Sequence, residues 1–222
     1  MDGLLGTVGL IIFASLAWMA VRAGHPFAGW VAVAMAGSLL GFLRYNLPPA
    51  SVYLGDCGSM LIGLVVAALA IEASVKGPAV AIVAPTVLLV LPLIDTGAAI
   101  VRRKLTGRGL AAADRGHLHH EMLRRGLTRG RALALIALLG AVAAAGALAG
   151  TFYQNDLFAV VSAGVVAAIL LVTGLFGTAE VRLVKERVAA VFRAASRSSA
   201  HIELAVRLQG TADWAEVWRS LV

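Results

Sequence analysis

Six stretches of the chain are apolar over membrane-like lengths, and short polar segments separate them. Residues 4–21 and 27–43 carry no charge, and each approaches the roughly 20 residues that a helix needs to cross a hydrocarbon core of about 30 Å. A third run begins at Met60 and ends near Glu72; it reaches spanning length only if Gly58 and the residues through Val75 belong to it. The fourth, 78–101, holds one charge, Asp95, and also Pro92, whose ring and missing N–H predict a kink. The fifth and sixth are 132–150 and 157–176. The pattern predicts an all-α polytopic membrane protein with about six transmembrane helices. A cleaved signal peptide does not fit, because Asp2 rather than a basic segment precedes the first run and further spans follow it.

The remainder, 178–222, changes period. Val181, Val184, Val188, Val191 and Phe192 recur at helical spacing with charges between them, which predicts an amphipathic helix on the membrane surface. Beyond the serines at 196–199, Ile202, Leu204, Val206 and Leu208 alternate as in a strand. Thr211 can then cap a last helix carrying Trp214, Val217, Trp218 and Leu221. Two units follow: a transmembrane core over 1–177 and a small amphipathic, α+β tail over 178–222.

Composition agrees, with 60% hydrophobic and 14% charged residues against soluble averages of roughly 45–50% and 25%. Charge then orients the spans. Residues 102–131 hold nine Lys or Arg against Asp114 and Glu121, a net of +7 that equals the net charge of the whole chain. A loop this basic between apolar segments belongs on the cytoplasmic face. Alternation of six spans puts 44–59, the N-terminus and the tail on that same side, leaving only short turns opposite. The predicted location is the inner (plasma) membrane, multi-pass, with the chemically equipped loops and the C-terminus cytoplasmic. Confined to one loop, the basic excess speaks for anionic lipid and phosphate-bearing ligands rather than nucleic acid.

Four places carry candidate chemistry. Asp56 sits between Gly55 and Gly58 at the mouth of a span, where a carboxylate can meet a hard cation, although spacing alone favours a plain Gly-Asp-x-Gly turn. His117, His119 and His120 lack the i, i+4 spacing of a helical zinc site and suit anionic phosphate as well as metal; a solvated loop is the plain alternative. Asp95 lies two helical turns before Arg102, and a carboxylate at that depth is costly, which marks it as functional or else as an ion-pair or capping partner. Arg102 and Arg103 mark the cytoplasmic boundary or contact a ligand.

These residues carry a resemblance. The stretch 46–59 reads Asn-Leu-Pro-Pro-Ala-Ser-Val-Tyr-Leu-Gly-Asp-Cys-Gly-Ser; Pro-Leu-Ile-Asp-Thr follows at 92–96, then Arg102 and Arg103, then Asp-Arg-Gly-His-Leu-His-His at 114–120. In this order they resemble the polyprenyl-phosphate N-acetylhexosamine-1-phosphate transferases, the branch that starts lipid-linked glycan synthesis. The resemblance covers about residues 1–176. It implies transfer of a sugar phosphate, N-acetylglucosamine-1-phosphate as the expected one, from a UDP-sugar to polyprenyl phosphate with release of UMP. It implies Mg²⁺, or Mn²⁺ in its place, held by Asp56 with Asp2 adjacent as catalytic and metal-binding carboxylates. Asn46, Arg103, Asp114, His117, His119 and His120 fall to substrate binding. The implied partners are the UDP-sugar, the polyprenyl phosphate and the membrane; a homodimer is left open.

Met1 to Gly6 resembles the second half of an Asp-Gly-x-Asp-Gly motif, with Asp2 as its last aspartate, and family members have further spans ahead of it. The expectation is therefore that an upstream continuation completes the enzyme and that the 222-residue chain alone turns over little. Cys57, Leu54 and Ala111 to Ala113 depart from the family pattern without removing a charged group. A catalytically inactive fragment of that family and an unrelated transporter-like protein stand as alternatives.

Overall fold

The computed structural model describes residues 2–75, 83–105 and 116–175, together with Lys185, Ala189 and Arg219. Its elements are all helices: α1 (Leu4–Arg22), α2 (Pro26–Asn46), α3 (Gly55–Val75), α4 (Val83–Leu88), α5 (Val90–Leu105), α6 (Leu118–Arg124), α7 (Arg129–Tyr153) and α8 (Leu157–Val172). Among the described residues α1, α2, α3 and α7 are long and apolar enough to cross a membrane, and α8 is a shorter apolar helix. The chain is an all-α polytopic membrane protein. The tail at 178–222, with its expected helix, strand and terminal helix, lies outside the described residues except for Lys185, Ala189 and Arg219.

Two boundaries follow from single residues. α3 begins at Gly55 and runs to Val75, so the third apolar run does reach spanning length. The fourth run breaks at Leu89, one turn before Pro92. A proline offers no N–H to the carbonyl four residues back, here that of Leu88. The Leu89 N–H turns back to Thr86 (3.0 Å), and the helix resumes with the Leu93 N–H on the carbonyl of Leu89 (2.9 Å).

Lipid cannot hydrogen-bond, so polar groups at membrane depth must be satisfied internally. The hydroxyls of Ser15, Ser38 and Thr151 each donate to the carbonyl four residues back, at 2.8, 2.8 and 3.0 Å. α1 is central: 56% of its apolar window is buried against 17% for α3, and Phe13 is fully enclosed. Small residues bring the helices close, as expected where packing rather than the hydrophobic effect joins them. A Cβ on Gly6 would stand 2.8 Å from Leu43 of α2, and one on Gly146 of α7 would overlap the Ser162 Oγ of α8.

The two ends of the bundle differ. At one end the Arg22 guanidinium lies 5.8 Å from the Trp18 ring and 5.6 Å from Phe152, with Tyr153 packed edge-on to Phe152 at 5.0 Å. Such aromatic and cationic groups settle at a membrane–water interface. At the other end the start of α1, the end of α2, the loop before α3, the α6 segment and the start of α7 come together.

Candidate active site

Two hydrogen-bonded assemblies build that second end. The first centres on Asn46, the last residue of α2 and one of the few buried polar side chains. Its Oδ1 accepts from the Gly3 N–H (3.0 Å) and its Nδ2 donates to the Val52 carbonyl (2.7 Å). One amide thereby fastens the start of α1 to the loop between α2 and α3. Gly3 caps α1 at φ +74°, a backbone region that favours glycine. The loop carries a cis Pro48–Pro49 bond, and the Ser51 and Val52 N–H groups fold back onto the Tyr45 carbonyl. Asp2 sits against this loop, with Oδ2 accepting from the Ala50 N–H and from Arg129 Nη1, both at 3.4 Å. Asp56 lies in the first turn of α3; it is exposed, and its carboxylate takes no hydrogen bond among the described residues.

The second assembly joins Asp95 of α5 to the histidine segment. Asp95 Oδ2 lies 3.1 Å from His117 Nδ1, and Oδ1 accepts from the Leu118 N–H at 2.8 Å. One carboxylate thus engages both the residue before α6 and the first N–H of α6, a donor that would otherwise have no intrahelical partner. A Cβ on Gly116 would stand 2.7 Å from Arg102 Nε, so the α5 guanidinium also lies against this segment. Leu118 and Met122 are buried and anchor α6 in the core. Its far end is tied to α8: Arg125 pairs with Glu121 (3.0 Å) and donates to the carbonyls of Thr173 (2.7 Å) and Gly174. A cation there also complements the C-terminal dipole of α8.

The histidines face one another. His117 and His119 stack with ring centroids 6.0 Å apart, and His119 and His120 lie 4.1 Å apart. Burial, reinforced by neighbouring His120, lowers the His119 pKa from 6.5 to about 4. That keeps the imidazole uncharged at physiological pH, a hydrogen-bonding group rather than a cation. His119, Asp95 and Thr96 are the polar lining of a cleft of about 210 Å³ whose other walls include Leu4, Leu5, Val8 and Pro92. A mostly apolar groove with a carboxylate and an imidazole in its lining suits an amphiphile with a polar head.

The structure gathers His117, His119 and His120 into one cluster and Asp2 and Asn46 into one loop assembly. Arg103 occupies the last turn of α5 beside Arg102. Asp114 lies outside the described residues. Among the described residues no three His, Cys, Asp or Glu side chains form a ready cage for a metal ion. Mg²⁺ does not require one, since it is usually held by one or two carboxylates and substrate phosphates. Asp56, exposed and unengaged, fits that donor set; Asp2 has one oxygen already committed to Arg129 and Ala50. Sequence reasoning missed the Arg129 and Arg125 contacts. Their only signal was position, since both follow the histidine segment at helix ends.

Residues 1–74 match the family model described as glycosyl transferase family 4. The chain is 33% identical over 141 residues to a probable undecaprenyl-phosphate N-acetylglucosaminyl 1-phosphate transferase of Bacillus subtilis, covering 63% of this chain and 39% of that protein. It is 34% identical over 191 residues to a decaprenyl-phosphate N-acetylglucosaminephosphotransferase of Mycobacterium tuberculosis, covering 76% and 47%. An undecaprenyl-phosphate α-N-acetylglucosaminyl 1-phosphate transferase of Haemophilus influenzae is 35% identical over 159 residues, covering 68% and 45%. The chain spans about half the length, or less, of these curated relatives. No solved structure matches it.

Proposed function

Residues 1–74 belong to glycosyl transferase family 4, and from that membership we propose that the chain carries the site at which N-acetylglucosamine-1-phosphate passes from UDP-N-acetylglucosamine to a polyprenyl phosphate. The observation that carries this reading is the cleft lined mostly by apolar side chains, with Asp95, Thr96 and His119 as its polar lining. A polyprenyl chain matches the apolar walls, and its phosphate and the sugar nucleotide meet at the polar lining, on the cytoplasmic side of the plasma membrane.

An oxygen of the polyprenyl phosphate attacks the β-phosphorus of the UDP-sugar; the bridging P–O bond to UMP breaks, and polyprenyl-diphosphate-sugar and UMP result. A phosphate monoester has its second pKa near 6 and is largely dianionic at pH 7, so the attacking oxygen needs no base. The residues need only bind, orient and neutralise. Neutral His119 donates an N–H to phosphate or sugar oxygen, His117 and His120 extend that surface, and Arg103 and Arg102 offset the diphosphate charge. Asn46 fastens the loop between α2 and α3, which leads into Asp56, to the start of α1 beside Asp2. Mg²⁺, for which Mn²⁺ could substitute, would be held by Asp56 with Asp2 adjacent and would supply charge neutralisation on the diphosphate.

The test is transfer of label from radioactive UDP-N-acetylglucosamine to undecaprenyl phosphate in membranes carrying the 222-residue chain, or the chain extended by coding sequence upstream of Met1. The reading expects solvent-extractable label with matching UMP release, at least from the extended form. Absence of both products from both forms overturns it.

A further inference from the structure

The geometry points to Asp95 as the positioning residue of the histidine segment, the single carboxylate that sets both the place of α6 and the ring orientation of His117 beside the cleft. Its two oxygens do different things. Oδ1 takes the Leu118 N–H at 2.8 Å and so fixes where the helix bearing His119 and His120 begins. Oδ2 lies 3.1 Å from His117 Nδ1. A carboxylate accepts, so this bond places the proton on Nδ1 and leaves Nε2 of the neutral ring without one; a hydrogen bond at one ring nitrogen decides the chemistry of the other.

Both partners are only partly exposed, 24% for the Asp95 side chain and 32% for that of His117, so water competes weakly for the bond. Asp95 itself reaches the cleft that His119 also lines. The α5 residue thereby fixes a segment that stands 22 positions later in sequence. The neutrality of His119 fits the same arrangement, because an uncharged imidazole depends on orientation rather than on field for its contact. This inference rests on the proposed sugar-phosphate transfer only where it concerns ligand affinity; the tether itself can be read without any ligand.

The experiment uses the 222-residue chain in detergent micelles, as wild type, Asp95→Ala and Asp95→Asn. Three readouts are taken: backbone hydrogen exchange over 117–124, the ¹⁵N signals of the His117 ring, and the dissociation constant for UDP-N-acetylglucosamine. Asp95→Ala is expected to speed exchange at Leu118 and its neighbours by tenfold or more and to weaken UDP-N-acetylglucosamine about tenfold. Asp95→Asn keeps an acceptor for the Leu118 N–H, so protection is largely retained. Its amide NH₂ now faces His117, and the proton is expected to move from Nδ1 to Nε2, a change that a purely structural cap would not produce. Unchanged exchange in Asp95→Ala together with an unchanged His117 tautomer in Asp95→Asn overturns the inference. So does altered exchange with an unaltered dissociation constant, since α6 would then be capped without any effect on its ligand. If neither the 222-residue wild type nor the form extended upstream of Met1 binds UDP-N-acetylglucosamine, the transfer reading falls, while exchange and tautomer still decide the tether.

Discussion

The Asp2 carboxylate lies 3.4 Å from the guanidinium of Arg129, joining positions 127 residues apart across the polar end of the bundle. The Arg129 side chain is 65% exposed and that of Asp2 only 15%. Pairs open to water on one side contribute about 0–1 kcal/mol. Arg129→Ala should therefore change thermal stability in detergent by less than about 1 kcal/mol. It should also lower the Mg²⁺ concentration at half-maximal turnover, because Asp2 loses a competing cation. An unchanged Mg²⁺ requirement would remove Asp2 from the metal's surroundings.

Asp56→Asn keeps the shape of the exposed first-turn residue of α3 and removes its charge. In the form extended upstream of Met1, turnover should fall by about two or more orders of magnitude while the unfolding temperature stays within error, since the carboxylate accepts no hydrogen bond among the described residues. His119→Ala and His120→Ala should instead raise the KM for the UDP-sugar and leave the Mg²⁺ response largely intact. Turnover against Mg²⁺ concentration for the three variants checks this. Normal rate and normal Mg²⁺ dependence in Asp56→Asn would end the metal assignment.

Acid should loosen the fold through His119. The unfolded imidazole takes its proton near pH 6.5 and the folded one only near 4. Between those values the unfolded chain binds the additional proton, so stability is complete above about pH 6.5 and declines as pH falls towards 4. The decline should be shallower in His119→Gln. Thermal unfolding in detergent from about pH 4 to about pH 7 measures it, and parallel curves for wild type and variant would refute the attribution.

Gly146→Ala should cost about 1–3 kcal/mol, the usual range for overpacking, because the new Cβ overlaps Ser162 Oγ and stands 2.8 Å from the Phe158 carbonyl. Gly164, where an added methyl would meet nothing within 4 Å, is the control: Gly164→Ala should be neutral or slightly stabilising. Equal unfolding temperatures for the two variants would contradict the close α7–α8 packing.

Much of the fold was legible because lipid imposes a simple rule on sequence. The uncharged runs that became α1, α2 and α7 could be read directly, and Pro92 announced the break that falls at Leu89. Thr128, which accepts from the Arg131 N–H as the N-cap of α7, likewise occupies a position that favours a hydroxyl. The site was legible only in its parts. Asp56, Asp95 and the histidines stood out as polar residues in apolar surroundings. Nothing in their spacing revealed that Asp95 meets His117, because the pairing depends on how α5 and α6 are brought together. Asn46 shows the same limit. The resemblance implies a substrate contact there, and nothing in the sequence shows that its oxygen accepts from Gly3 and its nitrogen donates to Val52.

The histidine helix α6 is held at its start by α5, through Asp95, and at its end by α8, through Arg125. The apolar helix α8, with 16 residues, is about 24 Å long at 1.5 Å per residue, shorter than a typical hydrocarbon core of about 30 Å. A thicker bilayer accommodates a short helix by local thinning or by snorkelling of its flanking residues, and a displacement of α8 relative to α5 would pull on opposite ends of α6. The position of the histidine rings is thus expected to respond to acyl-chain length. Rates of sugar-nucleotide use should vary across vesicles made from lipids of graded chain length, and Arg125→Ala, which releases one end, should flatten that dependence.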